Sequence, residues 1–166
     1  ALSVVNSLPE PFFLVFAPNA PHGVGNGPPQ PASRHIGTFS GMPPWRPLSW
    51  NETDMSDKPQ WLQHLGPAPA NDLHVQRTYE TLQAVDDALA HLILRLTLQG
   101  KFFRTTWLYT SDNGYLWGEH TWWRKWVGYE ESARMPLIAR GPGIAKNYVN
   151  SQDVVANIDL APTIAA

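Results

Sequence analysis

The sequence predicts an α/β fold in which a mostly parallel sheet is flanked by helices. Three observations carry that expectation. PFFLVFA (11–17) and TTWLYT (105–110) are short aromatic and β-branched runs of strand length. Residues 72–99, between them, repeat apolar side chains at the 3.6-residue spacing of a helix. Strand, long helix, strand is the βαβ unit from which such sheets are assembled.

Taken in order, the first strand is bounded by Pro11 and Pro18. A polar stretch rich in Pro and Gly follows, from 18 to about 70. Thirteen of the sixteen prolines lie in residues 1–69. A connection this long inside a compact domain is usually functional or poorly ordered. DKPQWLQHL (57–65) predicts a helical turn capped by Asp57, with Pro59 in its first turn. The long helix places Leu73, Tyr79, Leu82, Val85, Leu89, Leu92, Ile93 and Leu96 on its apolar stripe. Asn71 or Asp72 caps its start and Gly100 ends it. RMPLIAR (134–140) predicts a further strand, GPG (141–143) a turn and 153–158 a short strand. Asp159 is expected to cap a last helix that tolerates Pro162.

Composition narrows the function. At 166 residues the chain suits one domain. It is 43% hydrophobic and 16% charged, the balance of a globular protein. The net charge of −2 argues against a nucleic-acid partner, which needs a basic face. No apolar run reaches the length of a membrane span. With no cysteine, disulfides, thiolate zinc sites and cysteine nucleophiles are excluded within these residues. HExxH and HxxxH are absent, as is a GxSxG elbow, which argues against histidine-bound zinc and a serine triad.

Chemistry concentrates after the second strand, in TSDNGYLWGEH (110–120). Open α/β sheets bind ligands beyond the carboxyl ends of their strands. Asp112 and Asn113 offer two hard oxygen ligands suited to Ca²⁺ or Mg²⁺, and Gly114 permits the turn that aims them. The same residues also read as an ordinary Asp-Asn-Gly turn. His22, in APNAPHG (17–23), lies at the same predicted edge and can donate to an anion, protonate a leaving group or stand as an ordinary loop histidine. Lys125, among aromatics in WWRKWVGYEE (122–131), can neutralise an oxyanion or lie along the surface with its head in water. His120 suits a substrate contact, a metal ligand or a turn. Trp117, Trp122, Trp123 and Trp126 can stack on sugar or aryl rings, or pack beneath a loop. Asp86 and Asp87 read as a solvated helix face, and Asn51-Glu52-Thr53 is a glycosylation sequon.

Six blocks in register give a resemblance. PFFLVFAPNAPHG (11–23), SDKPQWL (56–62), RTYETLQAVDDALAHLI (77–93), YTSDNGYLWGEH (109–120), KWVGYEESARMPLIARGPGI (125–144) and NIDLAPTI (157–164) together resemble the C-terminal part of the sulfatase catalytic domain, in the alkaline-phosphatase superfamily. The resemblance implies a partial alkaline-phosphatase/sulfatase-like sandwich spanning 1–166 and a sulfuric ester hydrolase. Asp112 and Asn113 match the later pair of metal ligands, usually to Ca²⁺. His22 matches the histidine that contacts the sulfate or its leaving oxygen. Lys125 matches the lysine that neutralises a sulfate oxygen, and His120 a position near the substrate. The family's nucleophile is a formylglycine hydrate made from cysteine or serine. Family relatives are commonly secreted, periplasmic or lysosomal.

The departures are equally specific. The early aspartate pair and the C/S-x-P-x-R nucleophile segment are absent from these 166 residues, and Leu116 stands where many relatives have histidine. With Ala1 as first residue and a last helix of about two turns, the expectation is a sulfatase fragment, inactive alone, whose N-terminal half completes sheet and site. The substrate expected is a sulfate ester, with SDKP and the tryptophans leaning toward a sulfated carbohydrate. Two alternatives stay open: a phosphodiesterase or phosphonate hydrolase of the same superfamily, and a non-catalytic remnant binding a sulfated glycan or a protein partner.

Overall fold

The computed structural model describes residues 2–7 and 9–166. A short helix, α1 (Leu2–Ser7), and a four-residue helix, α2 (Gln60–Gln63), precede the 27-residue helix α3 (Asp72–Leu98). Strands β1 (Trp107–Thr110), β2 (Leu116–Trp117) and β3 (Trp123–Arg124) follow, then helix α4 (Glu130–Ala133), strand β4 (Leu137–Arg140) and helix α5 (Leu160–Ala165).

The termini of α3 are as the sequence predicts. Asn71 caps the start, its side chain accepting from the His74 N–H. At the other end, Gly100 takes a left-handed φ of 67°. Its N–H bonds to the Thr97 carbonyl and that of Lys101 to the Leu96 carbonyl, a Schellman stop. The C-terminal half of α3 carries the core: Leu92 and Leu96 are buried against Val5, with Phe12, Phe16, Leu89, Phe102 and Trp107 packed around them. The predicted stripe drifts at Leu73 and Ile93, which are exposed. In the N-terminal half His74, Val75 and Thr81 take the buried positions instead, because that half faces loops rather than an apolar layer.

Within the stretch from 18 to 70, residues 34–46 form a strap. It runs antiparallel along α3, pinned by polar side chains: Arg34 and His35 to Asp87, Thr38 to Gln83, Gly37 N–H to Glu80, and Arg46 to Asp72. Asp87 is therefore a paired anchor and not a solvated face. Its carboxyl is held low by the hydrogen bonds from Arg34 and His35. Asn51 is likewise engaged, its amide bonding both the N–H and the carbonyl of Ala68.

Strand pairing departs from the expected parallel sheet. Among the described residues β1 pairs antiparallel with β4, Trp107 opposite Arg140 and Thr110 opposite Leu137, and β2 pairs antiparallel with β3. PFFLVFA (11–17) has strand composition but no ladder; Phe12 and Phe16 turn to the core while Phe13 and Val15 are 70% exposed. A strand needs a neighbouring edge, and none is offered to it among the described residues. Residues 153–158 form no strand either, giving a bend and then a 3₁₀ turn at Asn157–Asp159. Two predicted caps are reassigned. Asp57 binds Lys58 rather than capping α2, and Asp159 turns back to accept from the Ala156 N–H.

Candidate active site

The stretch 111–131 is built around the β2–β3 hairpin, which packs against Trp45, Trp50 and His74. Gly114 is required by close approach: its N–H bonds to the Ser132 carbonyl, and a Cβ there would collide with the Glu131 carbonyl. This sets Asn113 beside the loop after β3. Gly118 has φ 117°, and a Cβ would strike the Trp50 indole. The neighbouring Glu119 is buried, accepting from Trp45 Nε1 at 2.5 Å and from the Trp117 N–H at 2.6 Å.

Two predicted residues meet directly. Lys125 Nζ donates to Asn113 Oδ1 at 2.8 Å and is half-buried. The loop bearing Lys125 is fixed on both sides, by Trp122 Nε1 donating to the Lys125 carbonyl and by Arg124 donating to Asn26 Oδ1. The second bond ties this loop to the His22 loop. His22 itself is exposed, its Nδ1–H donating to the Gly23 carbonyl at 2.8 Å. Asp112 is exposed as well, with Oδ1 accepting from the Asn113 N–H at 3.0 Å.

His120 sits in a cluster that pattern reading missed. Its Nδ1–H donates to Glu52 Oε1 at 2.6 Å, its Nε2 lies 3.4 Å from Glu131 Oε1, and its ring stacks on Tyr129 at 4.2 Å. Lys58 also reaches Glu52, at 3.1 Å. Burial pushes the Glu52 carboxyl up, but hydrogen bonds from His120 and Lys58, with their charges, outweigh it and hold it below the usual value. Glu52 was visible in the sequence only as the middle of a sequon. Its partner lies 68 positions away, so no local spacing signals it.

The tryptophans divide by role. Trp117 packs edge-on to Trp45 and Trp123 edge-on to Tyr115 and His74, while Trp126 is 78% exposed. His74 is buried among them, stacked on Tyr115, behind the His22 loop at Gly23. Burial, and then the Arg124 charge, depress its pKa from 6.5. The unfolded chain thus binds a proton that the folded one refuses. Stability from this group is fully present above about pH 6.5 and falls as pH drops toward the lower folded value. Urea unfolding between pH 5 and 7.5 should show this slope, and His74→Phe should remove it; an unchanged slope in the variant would count against the assignment.

The donor set bears on a bound cation. Among the described residues no group of three or more His, Cys, Asp or Glu side chains is placed to hold a metal. Asp112 and Asn113 supply two oxygen atoms, and Asn113 Oδ1 already accepts from an ammonium. Ca²⁺ takes about six to eight oxygens. These residues by themselves do not fit a complete Ca²⁺ site.

The family model described as Sulfatase matches residues 1–166. A Caenorhabditis elegans homologue of extracellular sulfatase Sulf-1 is 35% identical over 93% of this chain and 22% of its own length. The human N-acetylglucosamine-6-sulfatase is 34% identical over 93% of this chain and 28% of its own. An N-acetylglucosamine-6-O-sulfatase of Bacteroides thetaiotaomicron is 42% identical over 50% of this chain and 15% of its own. The chain thus spans between 15% and 28% of the length of these three relatives.

Proposed function

The chain belongs to the sulfatase family, and we propose that the whole protein hydrolyses sulfate esters of a carbohydrate. The observation that carries this reading is the pairing of Lys125 with Asn113 directly after β1, at 2.8 Å. It holds an ammonium in a fixed place, where preorganised charge stabilises an anionic group without reorganisation during reaction. Two relatives named as N-acetylglucosamine-6-sulfatases support a sulfated amino sugar as the substrate class.

In this reading Lys125 donates to a non-bridging oxygen of the transferring sulfuryl group. His22 protonates the departing sugar oxygen as the S–O bond breaks. His120, oriented by Glu52 and stacked on Tyr129, contacts the substrate. Asp112 and Asn113 would contribute two of the oxygen ligands of a divalent cation, Ca²⁺ by the family resemblance, with the remaining ligands from outside these residues; the ion would supply positive charge. The nucleophile comes from outside these 166 residues, which contain no cysteine and no S-x-P-x-R. The family and the Sulf-1 homologue also support a location outside the cytosol; no helix among the described residues is long and apolar enough to cross a membrane.

The test offers the whole protein matched esters: glucosamine 6-sulfate and a phosphodiester of the same alcohol. Release of inorganic sulfate is expected, with no release by residues 1–166 alone. Preferential hydrolysis of the phosphodiester would replace this reading with a phosphodiesterase. Tight binding of the sulfated sugar by the whole protein without turnover would replace it with a glycan-binding protein.

A further inference from the structure

Beside Lys125 lies an open cleft of about 540 Å³ lined by Asp57, Lys58, Trp61, Trp126 and Tyr129 among others. Its size is that of small-molecule sites, roughly 300–1,000 Å³. Trp126 stands at its edge, 78% exposed, with the Lys125 ammonium 5.9 Å from its ring centre. Trp61 is 51% exposed and is braced edge-on by Trp122, with ring centres 5.3 Å apart.

Trp126 is held out by its backbone. Its φ is 73°, the left-handed region that bulky residues avoid, and Arg124 two positions earlier has φ 90°. Such conformations persist where surrounding contacts over-determine them, and they cluster at binding sites. Here the contacts are Trp122 Nε1 to the Lys125 carbonyl and Arg124 to Asn26. A wide indole face is thus presented to solvent on an anchored loop, with little freedom left to lose on binding.

The charges in the cleft select the occupant. Lys58 Nζ is 2.8 Å from Asp57 and 3.1 Å from Glu52, and its side chain is only 10% exposed. Its charge is spent inside the protein and leaves nothing to meet a second sulfate. Asp57 is 70% exposed; both its oxygens accept from Lys58 and keep further lone pairs, which suit hydroxyl donors. Aromatic faces for apolar ring edges and acceptors for hydroxyls, with the lining cation, Lys58, already paired by carboxylates, describe a site for an uncharged sugar.

We propose that the Trp61–Trp126 cleft binds an unsulfated sugar ring adjacent to the one whose ester is cleaved, so that the enzyme prefers oligosaccharides. This rests on the sulfated-carbohydrate reading above. The test compares glucosamine 6-sulfate with a tetrasaccharide carrying that sulfate on its terminal ring and none elsewhere. In the whole protein, Trp126→Ala should lower the ratio of kcat/KM for tetrasaccharide over monosaccharide about tenfold, through KM, as lost uniform binding does. Trp126→Phe, which keeps an aromatic face, should retain most of the preference. An unchanged ratio in Trp126→Ala overturns the proposal. If the wild-type protein releases sulfate from neither sugar, the hydrolase reading fails separately. Calorimetry with the fully desulfated tetrasaccharide then decides the cleft: binding that Trp126→Ala abolishes sustains it, and no binding by the wild type overturns it.

Discussion

Lys125→Ala in the whole protein should lower kcat for sulfate-ester hydrolysis by about 10²–10³, the usual effect of removing one preorganised donor to a developing charge. The ammonium is fixed by Asn113 at 2.8 Å and by the bonds that brace its loop, so its place is set before substrate arrives. KM should change less, because the interaction strengthens as charge develops in the transition state. Lys125→Arg should recover little: a planar fork does not reproduce a point charge in this geometry. Steady-state kinetics on a sugar 6-sulfate decide the matter. A kcat within threefold of wild type would remove Lys125 from the reaction and leave it as a structural partner of Asn113.

The second large effect is on stability. Glu80 is fully buried on α3, and three groups converge on it: the Gly37 N–H at 2.8 Å, Gln76 at 2.7 Å and Arg77 at 2.9 Å. Burial raises its pKa, but these partners outweigh that and leave the carboxyl below its ordinary value. Glu80→Ala strips the partners of their acceptor and frees the strap at Gly37. Removing one side of a buried pair costs about 3–5 kcal/mol. Arg77 is a quarter exposed, so the lower end of that range is expected. Glu80→Gln keeps an acceptor for the N–H and should lose less. Because the folded pKa is depressed, this stabilisation is present above pH 4.5, the ordinary value, and is lost as pH falls through the folded one. Urea unfolding at pH 7 and at pH 4 measures both; a loss under about 1 kcal/mol in Glu80→Ala would show that the strap is held elsewhere.

Local chemistry made several features readable from the chain alone. The long helix, its Asn71 cap and its Gly100 stop follow from periodicity and backbone preference, which act over a few residues. The same holds for β1 and β4, whose apolar runs appear within the predicted 105–110 and 134–140. The nearness of Asn113 to Lys125 was implied only by family resemblance; the hairpin between them brings the pair within a hydrogen bond.

Long-range pairing escaped the sequence. A strand is completed by its neighbour, so PFFLVFA reads as a strand yet stays unpaired among the described residues, and β1 and β4 turn out antiparallel. Glu52 reaches His120 across 68 positions, and Asp87 reaches Arg34 across 53. Charged residues carry no periodic signal that names such partners. Gly114 is glycine because another segment's carbonyl presses on it, not because its own turn demands a positive φ. Which tryptophan faces solvent was equally undetermined: the four between 117 and 126 are alike in composition, and only packing against Trp45, Trp61, Tyr115 and His74 half-buries three and leaves Trp126 outside.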